Sequence, residues 1–208
     1  MIELQNINKR FGDNVIFENL SLRIENGKKY IIIGDNGVGK SLLLKIMVGY
    51  SKVQSGKVII DGEVLGEKFD FMPDCGVSID APQFIDSLSG LDNLLEIAKI
   101  LKIADKNHII ELAKILNLYN DLHKKYKTYS LGMRQKMRII QAMMESPRIL
   151  ILDEPFDALD DMSKIAVKNL IDQYLLIDEN RVVIFTSHDS QMRDFADSVL
   201  LINNKKIV

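Results

Sequence analysis

Residues Gly34-Asp35-Asn36-Gly37-Val38-Gly39-Lys40-Ser41 fit the spacing G-x-x-x-x-G-K-[ST], and the chemistry that suits this spacing is the cradling of phosphate groups. Glycines let the backbone wind tightly enough for successive N–H groups to aim at one centre, and a helix starting there adds partial positive charge. Amides from Asn36 to Leu42 would line the nest. Lys40 supplies a mobile charge for β- and γ-phosphates, and the Ser41 hydroxyl suits Mg²⁺. Such a site also needs a carboxylate for the metal and a group to orient an attacking water. Asp153 and Glu154 follow the apolar run Ile149-Leu150-Ile151-Leu152, and adjacent side chains there point in different directions, so one serves the metal and the other the water. Taken alone, the same two acids have the lesser alternative of capping the helix that follows Pro155.

These residues need a scaffold. Tyr30-Ile31-Ile32-Ile33, Ile149 to Leu152 and Val182-Val183-Ile184-Phe185 are apolar on both faces, the signature of strands in a sheet covered on both sides. The helical spacing of Leu42, Leu43, Ile46 and Met47 follows the phosphate loop directly, and a helical stretch near Ser163 to Leu176 separates the last two strands. Strand, helix and strand in this order predict a parallel α/β sheet, with ligands at the carboxyl ends of its strands. Thr186-Ser187-His188 stands at one of those ends. Before the loop, alternation in Met1 to Ile7 and Val15 to Ile24, broken at 12–14 and 25–27, predicts antiparallel strands; Val58 to Ile60 with Asp61-Gly62 reads as another hairpin arm.

From residue 86 to 146 the pattern is helical. Ser89 and Asp92 are spaced for a capping box ahead of a stripe on Leu91, Leu94, Leu95, Ala98 and Leu101. A second helix is expected over 108–118, and Ser130 is placed to cap a third carrying Met133, Met137, Ile140 and Met144. The chain has 208 residues, four prolines and no linker composition, so one domain is expected. Its formal net charge of -2 argues against a dedicated nucleic-acid binder, which would need an excess of cations. No apolar run approaches the roughly 18 to 20 residues of a membrane span. The chain starts without signal-peptide features, and its single cysteine, Cys75, reads as a spectator thiol in a reducing compartment.

Together these motifs resemble the nucleotide-binding subunits of ATP-binding cassette transporters, over nearly the whole chain and in the family's order. Ile149 to Pro155 is similar to the family's Walker B strand with its catalytic glutamate, Asp157 to Asp160 to its D-loop, and Thr186 to Asp189 to its switch-histidine loop. Tyr129-Ser130-Leu131-Gly132-Met133 occupies the signature position, and Phe11 stands where the family places an adenine-stacking aromatic. The resemblance implies a P-loop NTPase fold: a RecA-like parallel core with an antiparallel β layer (1–85 and 147–208) and an inserted helical subdomain (86–146). It implies ATP and Mg²⁺ as ligands, Lys40, Glu154 and His188 as catalytic groups, and Ser41 and Asp153 at the metal. It also implies a head-to-tail dimer in which Ser130 and Gly132 of one subunit cover the γ-phosphate held by the other.

Two departures from the family pattern shape the finer reading. The signature reads YSLGM where the commonest form is LSGGQ, a variant similar to that of antibiotic- and drug-exporting members. Aligning Gly76 and Pro82 places Asp80 where a glutamine is usual, which resembles bacitracin and lantibiotic self-protection exporters; Asp80 would then be a metal ligand, with Gln83 the alternative. The resemblance implies a separate transmembrane permease docked near residues 80–100, a cytoplasmic location on the inner face of the membrane, and no nucleic-acid partner. A soluble relative acting on nucleic acid or ribosomes is the competing reading.

Overall fold

The computed structural model describes residues 1–80, 83–203 and 206–207. β1 (Ile2–Phe11) and β2 (Asn14–Ile24) form an antiparallel hairpin. β1 runs four residues beyond the expected Ile7, because its pairing with β2 continues to Phe11. β4 (Ser55–Ile60) pairs with the other edge of β1, and β5 (Glu63–Val64) completes a four-stranded antiparallel sheet ordered β2-β1-β4-β5.

The second sheet has the order β10-β9-β3-β8-β7-β6. Its parallel members are β3 (Lys29–Ile33), β6 (Cys75–Ser78), β7 (Ile149–Leu152), β8 (Val182–Thr186) and β9 (Ser198–Asn203). The short β10 (Lys206–Ile207) adds antiparallel to β9 at the edge. Alternation along these strands divides the interior into two cores. Ile31, Ile33, Leu150, Leu152, Val183 and Phe185 join the helical side, while Ile32, Ile149, Ile151, Val182 and Ile184 join the side that carries the antiparallel layer. The strands are apolar on both faces because both faces are covered.

α1 (Lys40–Val48) lies between the two sheets, with Leu43, Leu44, Ile46 and Met47 buried in the second core. On the opposite face are α2 (Gly90–Leu101), α3 (Lys106–Ile115), α4 (Leu131–Met143) and α5 (Asp161–Leu176). The Ser89 hydroxyl accepts from the Asp92 N–H and donates to the Asp92 carboxylate at 2.6 Å, so the expected side-chain cap forms. Leu101 does not share the buried stripe of Leu91, Leu94 and Ala98; it is the last helical residue and exposed, with Lys102 turning left-handed behind it. α3 begins two residues earlier than expected and stops at Ile115, leaving Leu116 and Leu118 buried beyond its end.

α4 rests directly on β6. A Cβ at Gly76 would overlap the backbone carbonyl of Ala142, so only glycine lets the helix and strand approach so closely. This contact sets the height of α4, and hence of its N-terminus, relative to the carboxyl ends of the strands.

Candidate functional site

β3 lies at the centre of the parallel sheet, between β9 and β8, and the phosphate loop leaves its carboxyl end. Gly39, the N-cap of α1, has φ 112, and a Cβ there would lie 2.9 Å from the Phe17 ring; both facts require glycine. α1 has no side-chain cap and no acidic residue in its first turn, so nothing on its own side chains answers the amides and partial charge of this tip. Lys40 is only 7% exposed and folds back over the loop, its Nζ donating to the carbonyl of Gly34 at 2.9 Å.

β7 and β8 pair in parallel with Leu152 opposite Phe185, so the residues leaving both strands arrive side by side. The Asp153 N–H donates to the Ser78 carbonyl at 2.7 Å. Thr186, fully buried, donates its hydroxyl to Asp153 Oδ1 at 2.6 Å and accepts the Glu154 N–H at 2.8 Å. Glu154 has φ 47, a left-handed backbone that costs a non-glycine residue roughly 1–3 kcal/mol and persists only where its surroundings impose it. The Gln135 amide supplies part of that constraint by donating to the Glu154 carbonyl at 3.0 Å.

The Glu154 carboxylate is the hub. Its Oε2 accepts the His188 N–H at 3.1 Å and faces His188 Nδ1 at the same distance, while Oε1 lies 3.8 Å from Lys40 Nζ. Asp157 Oδ1 is 3.7 Å from the same imidazole nitrogen. Lys40, Glu154 and His188, remote in sequence, therefore converge at the carboxyl ends of three neighbouring strands. A carboxylate held between an ammonium and an imidazole, with solvent access through His188, which is 57% exposed, has the chemistry of a proton acceptor.

The remaining expected residues fall in two places. Ser41 lies in the first turn of α1, and Phe11, 57% exposed, ends β1 with the Lys9 ammonium 4.8 Å from its ring centroid. Ser130 caps α4 by accepting the Met133 N–H at 3.2 Å, and Gly132 is pressed against the D-loop, where a Cβ would sit 2.8 Å from the Ala158 carbonyl. Leu131 between them is 75% exposed. The Asp80 carboxylate pairs with Lys45 at 2.7 Å, and its carbonyl accepts from Arg138. Pro82 lies outside the described residues; Gln83 lines a depression of about 600 Å³ with Gln135, Arg138 and Asp157. The sequence places Thr186 and Asp157 in their loop segments without a role of their own, and it gives Gln135 none. For Thr186 the only signal is a polar residue closing an apolar strand.

The description "ABC transporter" belongs to the family model that matches residues 17–157. YhcH of Bacillus subtilis, an uncharacterized ABC transporter ATP-binding protein, is 31% identical over 100% of this chain and 68% of its own length. The lantibiotic transport ATP-binding protein SrtF of Streptococcus pyogenes is 31% identical over 100% of this chain and 89% of its own, and the bacitracin transport ATP-binding protein BcrA of Bacillus licheniformis 31% over 100% and 68%. Among solved structures, an ATP-binding subunit of an ABC transporter superposes with a TM-score of 0.88 at 20% identity, covering 100% of this chain and 88% of its own. The dimeric structure of MJ0796, a bacterial ABC transporter cassette, gives 0.85 at 25% identity over 100% and 96%. With the phosphate loop, the strand-end acids and the signature helix on a P-loop NTPase fold, the chain belongs to the ABC transporter family, as one of its ATP-binding subunits.

Proposed function

We propose that the chain is one cassette, core at 1–85 and 147–208 with a helical subdomain at 86–146, and that it hydrolyses ATP to drive a separate membrane-spanning permease in export. The observation that carries this reading is the Glu154 carboxylate held between Lys40 and His188. The triphosphate sits on the amides of residues 36 to 42 with Lys40 against its terminal phosphates, and Phe11 stacks on adenine. Glu154 accepts the proton of the attacking water as its oxygen bonds to the γ-phosphorus, and His188 holds the γ-phosphate in line. ADP leaves with the electrons of the broken P–O bond.

Ser41 and Asp153 offer the oxygen donors that Mg²⁺ prefers, and Asp153 keeps one carboxylate oxygen outside the recorded bond to Thr186. Bound there, the ion would neutralise phosphate charge. Asp80 would join it by exchanging its Lys45 partner for the ion.

Two cassettes, identical or similar, close head to tail, so that Ser130 and Gly132 of one cover the γ-phosphate on the other. Hydrolysis removes that bridge, and the difference between closed and open states moves the permease. Export is the direction favoured by the YSLGM segment, Asp80 and the likeness to bacitracin and lantibiotic transport proteins. No helix among the described residues is long and apolar enough to cross a membrane, so attachment to the inner membrane face runs through the permease, at residues 80–100. Action on nucleic acid has no support in the relatives named above or in the net charge of -2.

Glu154→Gln tests the reading. It is expected to retain ATP and accumulate as a closed dimer, while turnover falls roughly 10²–10⁴-fold. Turnover at the parental rate in steady-state phosphate release would refute the assignment of Glu154 as base.

A further inference from the structure

The carboxylate of Glu154 is explained by its partners, but its unusual backbone is not. Its N–H is fixed by Thr186 and its carbonyl by Gln135, and Gln135 is itself held from behind. Arg138 lies one helical turn further along α4, on the same face as Gln135. Its Nη1 donates to Gln135 Oε1 at 3.0 Å, and its Nη2 donates to the carbonyl of Asp80.

The chemistry of the two side chains makes this more than proximity. A glutamine amide has one accepting and one donating end, whereas a guanidinium only donates. By facing Arg138, the amide must present its oxygen to the guanidinium, which turns its NH₂ toward the Glu154 carbonyl. Remove the guanidinium and the amide is free to rotate. Arg138 also leaves its buried Nε without a partner among the described residues, a cost that packing alone would not call for; the two terminal nitrogens hold it in place. Burial disfavours its charge, while Asp153, Tyr126, Asp80 and Asp157 around it favour the cation.

We infer that Arg138 is a positioning residue for the hydrolytic base: through Gln135 it couples the main chain at Asp80 to the backbone of Glu154. Asp80 has φ 56 and Glu154 φ 47, so two left-handed residues are tied to one fork on α4. A shift of the chain at residue 80 is thereby converted into a shift of the carboxylate through the side chains of Arg138 and Gln135. Residue 80 opens the segment assigned above to permease docking. The inference rests on Glu154 being the base.

The test uses Arg138→Lys, Arg138→Ala and Gln135→Glu in the full chain, with kcat and nucleotide Kd measured separately. Gln135→Glu still pairs with Arg138 and so preserves the packing, but it cannot donate to the Glu154 carbonyl. Arg138→Lys keeps the charge and loses the fork. Each is expected to lower kcat roughly 10- to 100-fold, the scale of small misplacements of a catalytic group, with Kd within about twofold. The double variant Arg138→Lys/Gln135→Glu, which keeps a cation beside the buried carboxylate, is expected to lose no more than the worse single, as members of one chain do.

Parental kcat in Arg138→Lys and Gln135→Glu overturns the inference, as do losses that multiply in the double variant or a Kd that worsens in step with kcat. Should Arg138→Ala fail to fold, Gln135→Glu and Arg138→Lys, singly and combined, decide. A wrong base assignment shows itself differently, as parental turnover in Glu154→Gln.

Discussion

Two helix tips in this molecule have the same electrostatics and opposite surroundings. α1 and α4 both begin without an acidic residue in the first turn, and both present amides and partial positive charge to whatever lies ahead. At α1 the chain itself builds the rest: a glycine loop, the folded-back Lys40, and Glu154 and His188 from the neighbouring strands. At α4, Ser130 satisfies only the Met133 N–H, and Leu131 projects into solvent. One tip is half of a binding site with its counterpart in the same chain. In the proposed head-to-tail dimer, the other is a lid for the nucleotide held by the partner copy. That arrangement would make nucleotide binding a property of one chain and turnover a property of two.

The largest effect on ATP affinity should come from the self-contained tip. Lys40→Ala removes the charge aimed at the terminal phosphates and is expected to weaken ATP binding by the isolated chain at least 10-fold, on the scale of about 1.5–3 kcal/mol for a hydrogen bond to a charged group; an unchanged isotherm would break the comparison at its stronger end. Ser130→Asp sharpens the other end. Aspartate caps a helix as well as serine does, so α4 is kept while a negative charge is set where the partner's γ-phosphate belongs. ATP affinity of the isolated chain should stay within about twofold, while turnover falls roughly 10²-fold, the scale of losing one preorganised donor to transition-state charge. A matching loss of affinity in dilute protein would put the tip in its own chain's site.

The smallest effect concerns what holds the lid in place. Tyr129 precedes the tip and donates its hydroxyl to the Asp121 carbonyl at 2.7 Å, and burial, followed by Asp121 and Tyr126, raises its pKa to about 12. An unfolded tyrosine titrates near 10, so the folded state favours the proton. This contribution is complete below about pH 10 and is lost as pH rises toward 12. Thermal melts should therefore show the stability gap between parent and Tyr129→Phe shrinking across that interval. A gap constant with pH would mean that this hydroxyl does not titrate with unfolding.

The sequence carried the self-contained tip almost completely, because a phosphate loop is local: Gly34 to Ser41 specify their own backbone, and Ile149 to Leu152 and Val182 to Phe185 announce a doubly covered sheet. It was less informative where a contact joins distant segments. Thr186 bridging Asp153 and Glu154, and Gln135 reaching the Glu154 carbonyl, depend on the register of β7 with β8 and on the height of α4 over β6, neither of which has a local pattern. The strand β9 and the edge strand β10 leave a weaker signal, since Ser198 to Ile207 is less uniformly apolar than the central runs. The apolar period of α2 runs on to the exposed Leu101 because periodicity continues to the last helical turn whether or not anything packs against it.

Mixing two inactive variants tests the shared site most directly. A dimer of one Lys40→Ala chain and one Ser130→Asp chain contains one site damaged on both sides and one made of an intact phosphate loop and an intact helix tip. If the tips act across the interface, combining the purified variants restores phosphate release, to roughly a quarter of the parental rate for random pairing in a closed two-fold dimer. If every mixing ratio stays as inactive as the separate proteins although the chains associate, loop and tip do not meet across copies, and the account is contradicted.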